Sequence, residues 1–281
     1  MFDKILGKIS SWEYQGLSLI KQGPLLNFWR APLDNDDGAY TKEWEKAGLN
    51  DLLHRIDSVD CIESGGYLLI KICSRIAPAI YKHGFECEYN YKIYSTGDVI
   101  LEVSGKPVGE LPNLPKIGLQ LTMDEVFDQV SWYGRGPGES YIDSKEASRI
   151  GLYKAAVDEL YTPYVYPQEN GNRTDVSWVS FTDLRGMGIF VSADPVLNFS
   201  AHRYTTADLE KAKHLNELNL RDEVTINLDY KHQGIGSASC GPKCLDKYRL
   251  DPEEFKFTLR FRPFSKALIS PVILGRESFT E

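Results

Sequence analysis

Side chains suited to acid–base chemistry or to sugar binding are concentrated between Trp132 and Asp175. Two segments there, WYGRGPGESYID (132–143) and YTPYVYPQENGNRTD (161–175), alternate aromatic, glycine, proline and polar residues. The run GRGPG is incompatible with a helix because glycine and proline are the poorest helix formers. Proteins bind sugars with aromatic rings that stack on apolar ring faces and with polar groups that meet the hydroxyls. We therefore predict a polar surface on a β scaffold, lined by the rings of Trp132, Tyr133, Tyr141, Tyr161, Tyr164 and Tyr166.

Two pairs of carboxylates in this stretch resemble a general acid and its partner: Glu139 with Asp143, and Glu169 with Asp175. Acidic residues four or six positions apart in loops are common, and such spacing does not place them around a substrate. We therefore do not expect catalysis by either pair. The favoured interpretation is a buried hydrogen-bond network that holds the loop, with sugar contacts by part of the group as the alternative. This network consists of Glu139, Gln168, Glu169, Asn170 and Arg173.

A second polar cluster follows the sequence NFWRAPLDND, at residues 27–36. One interpretation is a charged binding cluster. The other, which we favour, is an Asx-rich turn that caps a helix at Thr41, with the arginine paired to a carboxylate. The residues concerned are Arg30, Asp34, Asn35, Asp36 and Asp37.

The strongest candidate for direct contact with a substrate is the loop HQGIGSASCGPK, His232–Lys243. Its glycines at 234, 236 and 241 permit close approach of the backbone and turns with positive φ. A metal site built from His232, Cys240 and Cys244 is disfavoured because the spacing fits no zinc pattern. We therefore predict no metal and no cofactor in this chain.

Composition excludes several classes of protein. The chain has 281 residues, 42% of them hydrophobic, a net charge of -8 and a pI of about 5.3. Nucleic-acid binding is disfavoured because there is no basic block to neutralise phosphates. The apolar runs have the length of strands, so no membrane span is expected. Five cysteines without regular spacing indicate reduced thiols and a cytoplasmic location, although a signal peptide on a longer parent is an alternative.

Hydrophobic periodicity indicates a mainly β protein. FKFTLRFRP (255–263) alternates cleanly between apolar and polar residues, as a half-buried strand does. Two helices are expected, Thr41–His54 and Thr206–Leu218, each opening with a threonine cap and acidic residues. We predict one large antiparallel sandwich without a domain boundary. The other predicted strands are Tyr67–Ser74, Phe85–Tyr94, Val99–Val103, Lys116–Met123, Gly186–Ala193 and Glu223–Tyr230.

Four motifs, in order, resemble the C-terminal or small-chain domain of bacterial β-galactosidases, whose catalytic module is a TIM barrel. They are NFWRAPLDND, WYGRGPGESYID, YTPYVYPQENGNRTDV and DYKHQGIGSASCGP (229–242). The resemblance covers nearly the whole chain. It implies an all-β antiparallel supersandwich, like that of galactose mutarotases, with the two short helices as additions.

The resemblance also implies a division of labour. Retaining hydrolysis needs two carboxylates about 5 Å apart, and in this family both lie in the barrel domain, which this chain lacks. The expected partners are therefore the barrel of the same enzyme and a galactoside, in a homo-oligomeric parent with Mg and Na in other domains. Some relatives carry a sugar-stacking aromatic residue where this chain has Cys240. The expected sugar-binding residues are Asp36, Asp37, Gly38, His232, Gly234, Gly236, Ser239, Cys240 and Gly241.

Other possibilities stay open at this point. The chain could be a carbohydrate-binding module without a catalytic duty, or a mutarotase-like epimerase, although no mutarotase pattern surrounds His202 or His232. We expect residues 1–281 to be one domain, excised from a longer enzyme and lacking an N-terminal strand. A natural small subunit is the alternative.

Overall fold

A computed structural model of the chain describes residues 1–236 and 243–277. Its strands, in chain order, are β1 Phe2–Asp3, β2 Lys8–Ile9, β3 Trp12–Tyr14, β4 Leu17–Ile20, β5 Gln22–Asn27, β6 Leu52–Ser64, β7 Tyr67–Pro78, β8 Gly84–Tyr94, β9 Val99–Val108, β10 Lys116–Asp124, β11 Gln129–Gly136, β12 Arg149–Ala156, β13 Arg173–Thr182, β14 Met187–His202, β15 Glu223–His232 and β16 Phe255–Ser265. The α-helices are α1 Asp34–Asp37, α2 Thr41–Lys46, α3 Thr206–Lys211 and α4 Pro271–Leu274, and 3-10 turns occur at Val157–Leu160, Leu215–Glu217 and Asp246–Tyr248. None of the described helices is both long and apolar enough to cross a membrane.

Strands β5 to β16 form one antiparallel sheet that divides at β14. The longer arm runs in the order β12-β11-β13-β14-β16-β9-β8-β7-β6, and the shorter arm continues from β14 through β15 and β10 to β5. Residues 187–194 of β14 pair with β16, whereas residues 198–202 pair with β15. β13 pairs with both parts of β14, whereas the neighbour on the other edge changes from β16 to β15. The predicted antiparallel all-β architecture is confirmed.

The core lies between the two arms of the sheet. Phe28, just after β5, stacks on Phe85 of β8 with ring centroids 4.0 Å apart. Tyr230 of β15 stacks on Phe257 of β16 at 5.3 Å. Contact between aromatic faces of this size buries a large apolar area, which is the main favourable term in folding. The shorter arm therefore covers β8 and β16 and presents its loops at one end of the sandwich.

The alternation predicted for β16 is confirmed. Phe255, Phe257, Leu259 and Phe261 are between 1% and 6% exposed, as expected for one face of a strand. On the other face Arg260 is also buried, because it binds Asp98 at 2.6 Å and Glu277 at 2.7 Å. β16 is thus covered on both faces near its middle.

The predicted helix Thr41–His54 is wrong beyond its first turns. α2 ends at Lys46, and Gly48 adopts a φ of +69°, the left-handed conformation that commonly follows a helix. The chain then extends, because Leu52 begins strand β6 and pairs with Pro78.

The predicted helix Thr206–Leu218 is likewise short. The side chain of Thr205 caps α3, which ends at Lys211. Beyond it, the Glu217 carboxylate accepts the backbone N–H of Lys213 at 3.0 Å. A local bond of this kind offers the backbone an alternative to the helical ladder. α1 and α4 are additional helices that the periodicity did not indicate.

Candidate functional site

A buried ion pair holds the segment that leaves β15 after His232. The Arg30 guanidinium is fully buried and binds both oxygens of Asp36, at 3.1 and 2.8 Å. It also donates to the carbonyl oxygens of Gln233 at 2.9 Å and Gly234 at 3.3 Å. A guanidinium has five N–H donors in fixed directions, so one side chain fixes both α1 and the loop stem. The predicted pairing of Arg30 with a carboxylate is confirmed.

Helix α1 makes a second contact with the same stem. Asn35 Nδ2 donates a hydrogen bond to the carbonyl oxygen of Ile235 at 2.9 Å. The predicted Asx turn that caps a helix at Thr41 is wrong, because Asp34–Asp37 is a helical turn of its own. The N-cap of α2 is Tyr40, whose side chain makes no capping bond. The acidic cluster therefore braces the loop rather than the helix.

A carboxylate on the opposite side completes the support of this stem. Asp143 Oδ1 accepts the N–H of Ile235 at 3.0 Å, and Asp143 Oδ2 accepts the N–H of Gly236 at 2.9 Å. Gly236 has a φ of +97°, which favours glycine. A Cβ at Gly234 would lie 2.6 Å from Asp143 Oδ2, so the carboxylate fits only against glycine. The predicted need for close approach and positive φ is confirmed at these two glycines.

The far end of the loop returns to the segment between α1 and α2. The Tyr40 hydroxyl lies 3.5 Å from Cys244 Sγ, and Lys243 Nζ lies 5.6 Å from the centre of the Tyr40 ring. Asp37 and Gly38 are exposed beside these contacts. Both stems of the loop are thus held against one surface. Three of the predicted sugar contacts fall within 237–242, outside the described residues: Ser239, Cys240 and Gly241.

Two side chains that we expected to contact a sugar are buried instead. Asp36 is 1% exposed and serves as the counter-ion described above. The imidazole of His232 is 1% exposed, with Nε2 2.8 Å from Asp229 Oδ2. Lys116 Nζ lies 3.3 Å from the same Asp229 oxygen. Because buried charges need partners, the expectation is corrected: the side chains of Asp36 and His232 anchor the loop and do not face a solute.

The predicted network around residues 168–173 is present and buried. Its members Gln168, Glu169, Asn170 and Arg173 are 8%, 5%, 1% and 3% exposed. Arg173 donates to the carbonyl oxygens of Leu160 at 2.8 Å and Pro137 at 3.1 Å. Asn170 Oδ1 accepts the N–H of Thr162 at 3.0 Å. These bonds tie the loop before β13 to the loop after β11, as expected.

Two glutamates of the network differ in how well they are satisfied. The Glu139 carboxylate accepts the N–H of Gly171 at 2.8 Å and the hydroxyl of Tyr164. Burial and this contact raise the pKa of Tyr164. Glu169 Oε1 has no hydrogen-bond partner among the described residues, and burial raises the pKa of this carboxyl above its usual range. Burial thus disfavours the charged form of Glu169.

His202 joins the network from β14. Its Nε2 lies 3.0 Å from the carbonyl oxygen of Asn170, so the proton of the neutral ring is assigned to Nε2. Burial lowers the pKa of His202 to about 4. No pattern in the sequence indicated this position of His202, because the contact joins residues 32 positions apart.

Asp175, a member of one of the two carboxylate pairs considered from the sequence, is held by basic side chains. Asp175 binds Arg135 at 2.6 Å and Lys145 at 2.9 Å. Burial opposes its ionisation, but these two bonds hold the pKa of Asp175 below its usual value. In the part of the chain that the structure describes, no three His, Cys, Asp or Glu side chains are grouped to hold a metal ion. The described site offers anchoring and shape rather than proton transfer.

The predicted aromatic-lined surface is wrong for Trp132 and Tyr141, which are 1% and 2% exposed. The ring of Trp132 is buried because it packs on Tyr153 and Phe199, with centroids 5.4 and 5.6 Å away. Tyr141 packs edge-on against His232, with centroids 5.9 Å apart. Tyr133 and Tyr166 are 43% and 44% exposed. The stretch is therefore mainly core, with exposed rings at its margins.

A surface cleft of about 460 Å³ lies on the outer side of the loop stem. Tyr230 and Tyr248 contribute rings to it, and Lys231 and Arg249 contribute donors. The carbonyl oxygen of Tyr248 accepts the N–H of Gly234 at 2.9 Å, so the cleft and the loop share a wall. Rings beside polar groups are the usual components of a sugar site.

Comparison with known proteins gives a consistent result along the chain. Residues 1–261 match the family described as Beta galactosidase small chain. A β-galactosidase of Kluyveromyces lactis is 34% identical over 265 residues, which cover 92% of this chain and 25% of the relative. A β-galactosidase of Priestia megaterium is 33% identical over 240 residues, covering 84% of this chain and 22% of the relative. The chain thus spans about a quarter of the length of these relatives.

Among solved structures, similarity extends to an aldose epimerase homologue from C. elegans, with a TM-score of 0.43 and 9% identity, covering 74% of this chain and 68% of that chain. A putative aldose 1-epimerase of Escherichia coli K12 has a TM-score of 0.38 and 10% identity, covering 94% and 81%. The family match over residues 1–261 and the identity to the longer relatives are decisive. This chain belongs to the β-galactosidase small-chain family.

Proposed function

We propose that this chain is the C-terminal domain of a retaining β-galactosidase and forms one wall of its substrate pocket. The loop His232–Lys243 is that wall, with Asp37 and Gly38 beside it. Ser239, Cys240 and Gly241 are the proposed sugar contacts at its tip. The names of the related proteins support the substrate class, a terminal β-galactoside.

The observation that carries this proposal is the support of the loop stems. Arg30, Asn35 and Asp143 hold residues 233–236 through five hydrogen bonds to the backbone: two to N–H groups and three to carbonyl groups. Tyr40 contacts the returning stem at Cys244. A loop needed only as a connection does not require buried charges at its base, since these are costly unless fully paired. A loop that positions a ligand does require such support.

The catalytic groups are proposed to lie elsewhere in the enzyme. Retaining hydrolysis needs a nucleophile and an acid about 5 Å apart, whereas Asp143 is bonded to backbone N–H groups and Asp175 to basic side chains. We propose that a TIM-barrel domain of the same homo-oligomeric, cytoplasmic enzyme supplies both. Mg and Na are assigned to those other domains.

The surface cleft beside the stem supports a second candidate function, a carbohydrate-binding module. Tyr230 and Tyr248 could stack on a sugar without any barrel. An epimerase is less well supported, because it needs a histidine and a carboxylate that face one pocket. His202 and His232 are each 6% exposed, and in each of them one ring nitrogen is hydrogen-bonded to another group of the protein.

The test compares the isolated chain with the full-length enzyme. The isolated chain is expected not to cleave a nitrophenyl β-galactoside above background. In the full-length enzyme, deletion of residues 237–242 should lower kcat/KM while the melting temperature changes little, because these residues lie between the two anchored stems. Substitution of Cys240 by Ser should have a much smaller effect, since neither side chain offers a stacking face.

Different outcomes separate the candidates. Hydrolysis by the isolated chain would refute the assignment of catalysis to another domain. Unchanged kinetics after the loop deletion would show that the domain is a brace and not a pocket wall. Galactose binding by the isolated chain that is lost on substitution of Tyr248 by Ala would favour the binding module.

A further inference from the structure

Asp143 differs from the other carboxylates near the loop in what it binds. Its two oxygens accept N–H groups from Ile235 and Gly236, one each, at 3.0 and 2.9 Å. Among residues 1–236 and 243–277, no basic side chain forms an ion pair with it. Its hydrogen-bonding capacity is therefore directed at the backbone of the loop, at the last described residues before the tip.

The segment that carries Asp143 is itself firmly held. The N–H of Ser140 donates to the carbonyl oxygen of Asn172 at 2.7 Å, and Asn172 Nδ2 donates to the carbonyl oxygen of Ser140 at 2.8 Å. On the other side, Arg135 donates to the carbonyl oxygens of Lys145 at 2.8 Å and Ser148 at 2.9 Å. Asp143 thus lies between two fixed points, and its carboxylate has a defined position relative to β15.

The loop is shaped to receive this carboxylate. A Cβ on Gly234 would lie 2.6 Å from Asp143 Oδ2 and 2.9 Å from Asp143 Cγ, distances that real Cβ atoms essentially never show. Gly236 presents its N–H to the same oxygen from a backbone with φ of +97°. The fit depends on both glycines and on a side chain 92 positions earlier in the chain.

We propose that Asp143 is a positioning residue for the galactoside, which acts by fixing the direction in which the loop leaves Gly236. This inference rests on the proposed role of the loop as a pocket wall. A carboxylate can accept both N–H groups, whereas an asparagine has one acceptor oxygen and must turn an NH₂ group towards the second N–H. Asp143→Asn therefore keeps the size of the side chain and breaks half of the contact.

The chain offers a matched control at Asp183. Its Oδ1 accepts the N–H groups of Arg185 and Met187, both at 2.9 Å, in the turn between β13 and β14. Asp183→Asn makes the same change of charge at a place that does not contact the loop, but its remaining oxygen can still accept both N–H groups. In the full-length enzyme, we expect Asp143→Asn to lower kcat/KM for a nitrophenyl β-galactoside by about ten- to a hundredfold. Asp183→Asn is expected to change it by less than about twofold.

A double-mutant cycle with the deletion of residues 237–242 distinguishes positioning from a general loss of structure. If Asp143 acts through the loop, Asp143→Asn should have almost no further effect on kcat/KM in the enzyme that lacks these residues. An equal loss with and without the loop would overturn the proposal. The proposal would also be overturned if Asp143→Asn and Asp183→Asn changed kcat/KM equally while the loop deletion lowered it.

Two further results keep the test decisive. Unchanged kinetics after the loop deletion would instead refute the pocket-wall role on which the inference depends. If the Asp143→Asn enzyme fails to fold, Gly234→Ala serves in its place, because the added Cβ displaces the carboxylate without changing it. If Gly234→Ala lowers kcat/KM in the full-length enzyme but not in the enzyme that lacks residues 237–242, the proposal is supported. If Gly234→Ala leaves kcat/KM at the wild-type value, the proposal is overturned.

Discussion

Lowering the pH from about 7.5 to about 5 is expected to remove about 2 kcal/mol of folding free energy through His202 alone. Burial lowers the pKa of His202 from 6.5 to about 4. As the pH falls, the unfolded chain therefore binds the proton before the folded chain does. The stability is fully present above pH 6.5 and is lost progressively as the pH approaches 4.

The contacts of the ring explain the direction of this shift. Nε2–H donates to the carbonyl oxygen of Asn170, which leaves Nδ1 without a proton. Nδ1 is buried and has no partner among the described residues. Protonation would place a donor there that nothing accepts, close to the positive charge of Arg173. Both effects disfavour the charged ring in the folded state.

The assay is urea unfolding, followed by tryptophan fluorescence, at several pH values for the wild type and His202→Gln. Glutamine can donate to a carbonyl oxygen and does not titrate, so the difference in unfolding free energy between the two proteins should change by about 2 kcal/mol over this range. NMR titration of the ring gives the pKa of His202 directly. Parallel pH profiles for the two proteins, or a ring that titrates near pH 6.5, would refute the reasoning.

Three further results are expected. Arg30→Met should lower the free energy of unfolding in urea by about 3–5 kcal/mol, because it leaves Asp36 buried without its counter-ion. Arg55→Met removes an arginine from an exposed ion pair and should change the free energy of unfolding little. Equal effects of the two substitutions would contradict the burial argument. Trp132→Ala should cost about 3–5 kcal/mol, since this ring is core, and a loss below about 1 kcal/mol would show that it is exposed. Burial raises the pKa of Glu169, so its stabilising contribution is present below the ordinary value of 4.5 and is lost as the pH rises through the raised pKa. As the pH is raised from about 4 to about 8, the melting temperature of Glu169→Gln should therefore rise relative to that of the wild type. A difference in melting temperature that stays constant over this range would contradict the argument.

Local patterns in the sequence indicated β7, β8, β9, β10, β14, β15 and β16, but not β5, β6, β11, β12 or β13. The alternation of Phe255, Phe257 and Leu259 reports which face of β16 is buried, because side chains on a strand alternate whatever the partner strand. The same reasoning failed for Trp132 and Tyr141. An aromatic ring in a glycine-rich stretch is equally suited to a sugar surface and to a core, and only the neighbouring strands decide between them.

The support of the loop was only partly predictable. The pairing of Arg30 with Asp36 spans six positions and is suggested by a charged residue between apolar ones. The contacts of Asp143 with Ile235 and of Lys116 with Asp229 span 92 and 113 positions. No periodicity carries information over such distances. Asp229, an acidic residue within the strand EVTINLDY, was a further sign of a buried charge.

The division of the sheet at β14 has a consequence for how the protein opens. Residues 187–194 and 198–202 of this one strand pair with different arms, so separation of either arm removes hydrogen bonds from β14. Backbone amides of β9 and β15 should therefore exchange with solvent deuterium through the same global opening, with similar protection factors. Two sheets joined only by loops would instead exchange as two cooperative units. The stem of the loop that leaves β15 is thus expected to be joined to a slowly exchanging part of the molecule.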